Sequence, residues 1–385
     1  MANNQEKFAY LFQQYMQGKA SPEELQQFWN AMAGVRRDEE EFLESAMLEY
    51  WENESPAGEL NSEQILQRVL AQKKIQFSRP RRSYWPAAAA VLLICAGLTY
   101  WWWNKPATHT TPTLAVHDLP AGRKQATLTL DDGSTLTLDS TRHGLLAHQG
   151  NVTVNNLPAG LQYEGKSSGS TGYNILTTYK GQQYPVTLED GTRVLLDASS
   201  SLRFPVSFDG SEREVHVQGR AWFIVAPHPN KPFYVIKGDK KVIVLGTRFN
   251  VDAYNDESTT RITLIAGSVK VMNGPTTQLL YPGQQAILDN NSADISVNKH
   301  PDIEETIAWT DGSMVFKNAD IATILKEIER WYDVKVVIKG KLQEHRYYFS
   351  VSRSATLAEA LRFLEIYHIN YKINEEEKSL IIQPQ

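Results

Sequence analysis

The chain has 385 residues, a net charge of −5, 42% hydrophobic residues and a single cysteine. At roughly 100–200 residues per domain it holds several modules. Its mild acidity excludes a protein built around a concentrated basic nucleic-acid face, and one cysteine excludes an internal disulfide and any zinc site that needs several thiolates.

Residues 1–78 read as a small all-α segment. Phe8, Leu11, Phe12 and Tyr15 recur at helical spacing and Gly18 follows as a stop. Ser21-Pro22-Glu23-Glu24 has the form of a capping box with proline at the first helical position, and Leu25, Phe28, Trp29 and Met32 form the stripe behind it. Phe42, Leu43, Met47, Tyr50 and Trp51 mark a third helix, and Ile65, Leu66, Val69 and Leu70 a fourth. Thirteen acidic and five basic residues lie between 1 and 70, a balance of −8. Acidic helices with apolar stripes suit a clasp around a basic partner. The segment has no histidine, cysteine or Gly-rich phosphate loop with which to run chemistry.

Residues 84–103 contain no charge, and twenty helical residues span about 30 Å, the thickness of a bilayer core. Aromatic residues stand at both ends of the run, as interfacial anchors do. Lys73, Lys74, Arg79, Arg81 and Arg82 precede it, and only Lys105 follows closely. The positive-inside rule then predicts one transmembrane helix with a cytoplasmic N-terminus and an exported C-terminal region. Cys95 falls inside this span. Residues 104–117, rich in Thr, Pro and His, read as a spacer.

Residues 118–300 read as all-β, either a sandwich or a β-solenoid. Leu128, Leu130, Leu136 and Leu138 alternate around Asp132-Gly133, and Leu188, Val194 and Leu196 repeat the device around Asp190-Gly191. An Asp-Gly pair between alternating runs predicts a hairpin, so both aspartates are expected to form turns. Residues 166–172 read as a flexible insert between the two copies. Residues 309–385 change pattern. Strand, helix, strand, strand, helix, strand predicts a βαββαβ module with helices on one face of a sheet, a unit suited to partner recognition.

The stretches Leu188-Glu189-Asp190-Gly191-Thr192, Leu202-Arg203-Phe204-Pro205, Lys231-Pro232-Phe233, Leu245-Gly246-Thr247-Arg248-Phe249-Asn250-Val251 and Tyr281-Pro282-Gly283-Gln284 make residues 184–288 resemble the FecR domain of membrane anti-sigma regulators. Residues 309–383 are similar to the C-terminal module of FecR-like regulators, which in turn resembles the short signalling domain of outer-membrane importers. Gly18 to Leu25 with Phe28-Trp29 fits the family's cytoplasmic segment. Two positions depart from the pattern. Arg220 stands where the family usually carries an acid, and Asp197 where it often carries Asn.

The resemblance implies an anti-sigma factor of the inner membrane. It would relay a signal from an outer-membrane TonB-dependent transducer to a cytoplasmic ECF sigma factor, with membrane proteases as further partners and no direct contact with nucleic acid. Phe12, Leu25, Phe28, Trp29 and Trp51 become the expected sigma-binding residues. The strand Tyr347, Phe349, Val351 and the helix residues Glu359, Arg362 and Glu365 become the expected transducer-binding surface. Some relatives cleave themselves at a Gly-Thr bond, which makes Gly246-Thr247 a candidate: the hydroxyl attacks the preceding carbonyl and water resolves the ester.

No catalytic group, metal site or cofactor is expected, and the nine histidines show no ligand spacing. The alternative is an anchored periplasmic enzyme acting on glycan or cell wall, or an adhesive module. Trp222, Trp309, Trp331 and Tyr332 would then stack sugars, with Asp190 and Asp197 as the carboxylate pair.

Overall fold

A computed structural model describes residues 118–383 apart from 140, 142, 166–171 and 342–343, together with Tyr10 and Gln27. The expected cytoplasmic helices with Phe12, Leu25, Phe28, Trp29 and Trp51, the expected span at 84–103, the spacer and all of the insert but Gly172 lie outside the described residues. Among the described residues no helix is long and apolar enough to cross a membrane.

Nineteen strands, from β1 (Arg123–Lys124) to β19 (Ile295–Asn298), join in one hydrogen-bonded network that folds into two facing sheets. The first sheet runs β3 (Thr135–Leu138), β2 (Ala126–Thr129), β7 (Tyr173–Thr178), β10 (Ser200–Pro205), β11 (Arg213–Ile224), β12 (Phe233–Lys237), β13 (Lys240–Val244), β16 (Val269–Asn273), β17 (Thr276–Leu280). The second runs β4 (Gly144–Gln149), β5 (Val152–Leu157), β6 (Gly160–Glu164), β8 (Gln182–Thr187), β9 (Arg193–Leu196), β11 again, β14 (Arg248–Ala253), β15 (Thr259–Ala266), β18 (Gln285–Asp289), β19. Strand number rises along both sheets, apart from the terminal β3–β2 hairpin, so the chain advances by alternating between them. It is a sandwich in its layers and solenoid-like in its progress.

Alternation accounts for the core. Val215, Val217, Val235, Val242 and Val271 point inward from the first sheet, and Val194, Ala221, Phe223, Val251 and Ile262 from the second. Phe223 meets Phe233 across the layers at 6.4 Å, and Tyr163 meets Phe204 edge-on at 5.1 Å. The sheets share one strand. β11 pairs with β10 through Gln218 and with β14 from Gly219 onward, so the switch falls between these two residues.

Both Asp-Gly hairpins form with the same geometry. Gly133 and Gly191 have φ of +83° and +82°, and Leu128 faces Leu136 as Val186 faces Val194. Asp132 Oδ1 accepts the Ser134 amide at 2.8 Å, and Asp190 Oδ1 accepts the Thr192 amide at 2.9 Å.

After α1 (Ile303–Ile307) and a 3-10 turn at Ala308–Asp311, the C-terminal module runs β20 (Ser313–Ala319), α2 (Ile321–Trp331), β21 (Lys335–Ile338), β22 (Tyr347–Ser352), α3 (Leu357–Ala360), α4 (Arg362–Ile366), β23 (Asn370–Asn374), β24 (Ser379–Gln383). This corrects the expected βαββαβ order and its single sheet. An extra strand is present, because residues 370–383 form a hairpin rather than one strand, and the strands split into β20–β22 and β21–β24–β23. α2 packs on β20 of one sheet and β21 of the other, with Ile324, Leu325 and Ile328 buried in the module's own core.

Candidate functional site

The β domain and the C-terminal module fall within one compact unit, and what joins them is a buried cluster of charges. Asp197 follows β9, Arg220 follows the β11 switch, Glu327 lies on α2 and Arg353 follows β22. Arg353 grips Asp197 with both guanidinium nitrogens, at 2.6 and 3.0 Å, and reaches Glu327 at 3.0 Å. Arg220 grips both oxygens of Glu327 at 2.9 Å and touches Asp197 at 3.2 Å. Each module thus supplies one acid and one base, and every pair crosses or closes the seam. Arg353 and Asp197 are 3% and 1% exposed, so these contacts are shielded from water and salt.

The electrostatics follow from that geometry. Burial alone would raise the Glu327 carboxyl, but Arg220 and Arg353 outweigh it and hold it down at about 2. Burial lowers the Arg353 guanidinium, and Asp197 and Glu327 more than restore it, leaving it above its ordinary value. Paired, forked geometry is what makes burial of such charges tolerable.

Aromatic rings and a second ionic contact frame the cluster. Arg353 stacks over Trp331 at 4.2 Å, and the Trp331 indole donates to the Arg353 carbonyl at 2.9 Å. Arg330 lies over Tyr254 at 3.8 Å and binds Asp256 and Glu257 at 2.8 and 3.0 Å. A cavity of about 360 Å³ opens beside the seam, lined by Arg220, Asp252, Arg261, Glu305, Trp309 and Glu327 among others. Burial raises the carboxyls of Asp252 and Glu305 that face it.

The segment entering from the spacer is fastened to the module before it reaches the first strand. Leu119 accepts the Leu357 amide at 2.9 Å and Asp118 Oδ1 accepts the Ala358 amide at 2.8 Å. Leu119 and Ala121 pack on the module's core. Gly122 lies against the Trp331 ring so closely that a Cβ would stand 2.9 Å from it.

The residues singled out from the sequence distribute as follows. Tyr347 is buried and Phe349 and Val351 are half-buried, all three directed into the module, while Tyr348 between them is 62% exposed. β22 pairs only with β20 among the described residues, so its outer backbone edge is open there. Glu359, Arg362 and Glu365 are exposed. Glu359 closes the capping box of α3 with Thr356, and Glu365 accepts the Tyr371 hydroxyl at 3.1 Å.

Gly246 and Thr247 are buried just ahead of β14. The Thr247 hydroxyl donates to the Ser268 carbonyl at 3.0 Å, and Gly246 passes so near Pro227 that a Cβ would meet its Cα at 2.9 Å. Cleavage at this bond requires the hydroxyl to leave Ser268 for the Gly246 carbonyl.

Of the residues of the glycan-acting alternative, Trp222 is half-buried on β11 and the others are committed elsewhere. Trp309, Trp331 and Tyr332 are at most 4% exposed. Asp190 binds the buried Arg213 at 2.7 Å, and Asp197 belongs to the seam. Among the described residues no group of three or more His, Cys, Asp or Glu is arranged to hold a metal.

The sequence had marked Arg220 and Asp197 as departures but not Glu327, Arg330 or Arg353. The available signal for Glu327 was its position, between Ile324 and Trp331 on the apolar stripe of α2, where an unpaired charge would be costly.

Comparison with known proteins matches residues 174–270 to the family model described as FecR protein and residues 313–382 to that described as FecR, C-terminal. Two solved structures of an anti-sigma factor candidate from Parabacteroides distasonis are similar to the chain. Each is 27% identical, covers 55% of this chain and 99% of its own, and superimposes with a TM-score of 0.50. No curated protein matches it.

Proposed function

The chain belongs to the FecR family of anti-sigma factors, and from that premise we propose that it is a single-pass inner-membrane regulator with its N-terminus in the cytoplasm. It relays a signal from an outer-membrane TonB-dependent transducer to a cytoplasmic ECF sigma factor and so controls transcription of uptake genes. The observation that carries the reading is the joining of the FecR domain and its C-terminal module through the Asp197–Arg220–Glu327–Arg353 cluster. A partner that engages the module acts on a body whose entry segment, Asp118 to Gly122, is fastened to that same module. The exposed Arg362 and the open edge of β22 are the surfaces offered to the transducer, through backbone pairing of the kind an unpaired strand allows. The role is regulatory, without turnover of a substrate. Proteolysis, whether at Gly246-Thr247 or by membrane proteases, is the proposed route by which the cytoplasmic segment is released.

The acidic balance of residues 1–70 and the stripe through Leu25, Phe28 and Trp29 support sigma binding by the segment. The full chain in detergent is expected to co-purify with its cognate ECF sigma factor. Phe28→Ala with Trp29→Ala should weaken that complex at least tenfold, since two aromatic anchors at the centre of an interface carry more than about 1.4 kcal/mol. Retention of the sigma factor by the double variant at wild-type affinity would remove these two residues from the interface.

A further inference from the structure

Alternation turns every second residue of the second sheet away from the core. Val251 and Ala253 are buried on β14, so Asp252 between them faces outward. On paired strands it stands between Arg220 of β11 and Arg261 of β15, with Ile287 and Ser296 completing the row. The C-terminal module supplies the opposite wall. Glu305 of α1, Val315 of β20 and Glu327 of α2 line the same cavity of about 360 Å³, a size within the range of small-molecule sites. Most charges on these walls are satisfied inside the protein: Arg220 by Glu327 and Asp197, Arg330 by Asp256 and Glu257, Asp302 by Lys317. Asp252 and Arg261 are not. Asp252 Oδ1 is buried with no hydrogen-bond partner, and Oδ2 stands 3.7 Å from Arg220 and 4.0 Å from Arg261, beyond hydrogen-bond reach. That distant approach is the one ion pair Arg261 makes among the described residues. A carboxylate oxygen hidden from water without a donor is costly, and a guanidinium beside it has donors to spare.

We propose that the cavity binds a free α-amino acid, with its ammonium on Asp252 and its carboxylate on Arg261. Such a ligand carries donor and acceptor about 3 Å apart on one carbon. It therefore serves an acid and a guanidinium that stand 4.0 Å apart without closing on each other, and both new contacts are charge-assisted. Other ligand classes fit the walls less well. A bare metal ion would be repelled by Arg220 and Arg261, and a phosphate by Asp252 and Glu305. A sugar would find no open ring to lie on, since Trp309 and Phe316, the two aromatic residues of the lining, are 3% and 7% exposed. Because the walls come from both modules, the bound ligand also bridges the seam. The site depends neither on a membrane anchor nor on a transducer.

The test titrates the full chain in detergent, by calorimetry, with each of the common L-amino acids in turn, and with methylammonium and acetate as the two halves of the head group. At least one amino acid should bind saturably. Asp252→Asn and Arg261→Gln should each weaken it more than tenfold, and neither half alone should come within tenfold of its affinity. The Arg261 side chain is 42% exposed, so its variant keeps the test decisive should Asp252→Asn fail to fold. No binding by any amino acid would leave the cavity to solvent and overturn the proposal. An affinity that either folded variant leaves unchanged would overturn it too. Methylammonium binding as tightly as the best amino acid would do the same, by making this a simple cation site.

Discussion

Arg353→Ala is expected to separate the β domain and the C-terminal module into two unfolding units. The wild-type β domain and C-terminal module should melt together, because Asp197, Arg220, Glu327 and Arg353 tie them through contacts shielded from solvent. Removing Arg353 takes both nitrogens from Asp197, a residue 1% exposed, and leaves Glu327 with Arg220 alone. Breaking a buried pair in this one-sided way costs about 3–5 kcal/mol, more than the net worth of the intact pair, because a charge is left unmatched. Calorimetry should therefore show the module's transition moving to lower temperature and detaching from that of the β domain. Arg353→Lys should recover only part of the loss, since an ammonium cannot reproduce the two-pronged grip. A single transition at the wild-type temperature in Arg353→Ala would show that the cluster does not hold the modules together.

Acid should act on the same seam. The Glu327 carboxyl is depressed in the folded chain to about 2, below the ordinary value of 4.5. A depressed acid contributes stability that is fully present above its unfolded value and disappears as pH falls through the folded one. The coupling should thus be intact at neutral pH and fade between about 4.5 and 2. Glu327→Gln, which cannot change charge, should remove that part of the acid dependence.

How much of this was legible in the sequence depends on whether the partner was local. The Asp-Gly hairpins were, because turn chemistry and alternation occupy ten adjacent residues and fix their own register. The strand character of the rest of 118–300 was legible for the same reason. The partners of those strands were not: period two identifies a strand and says nothing of its neighbour, which is why the choice between sandwich and solenoid stayed open until β11 was seen to serve both sheets. The split of the module's strands into two sheets was hidden likewise. Arg353 gave no local sign, standing between two serines at the end of a strand and 156 positions from Asp197. Arg220 and Asp197 did stand out, as departures from a family pattern. Each lacks a sensible role alone, and the two acquire one only when α2 and the turn after β22 arrive.

The switch in β11 yields a second large effect. Gly219 has φ of +84°, where L-residues with a Cβ are strained, and a Cβ built there would lie 2.3 Å from Ser200 Oγ and 2.7 Å from the Ser199 carbonyl. Gly133 shares almost the same φ, +83°, but has nothing within 4 Å of its would-be Cβ. The pair separates two costs that usually travel together. Gly133→Ala incurs only the left-handed backbone penalty, roughly 1–2 kcal/mol. Gly219→Ala adds the collision with the backbone of the turn before β10, an overpacking penalty of about 1–3 kcal/mol, for a total near 3 kcal/mol. At about 2–4 °C per kcal/mol for a body of this size, thermal melts should place Gly219→Ala roughly 6–12 °C below wild type and Gly133→Ala about half as far. Equal shifts for the two variants would mean that the turn at Ser199 yields freely. The close approach at Gly219 would then not be what allows one strand to serve two sheets.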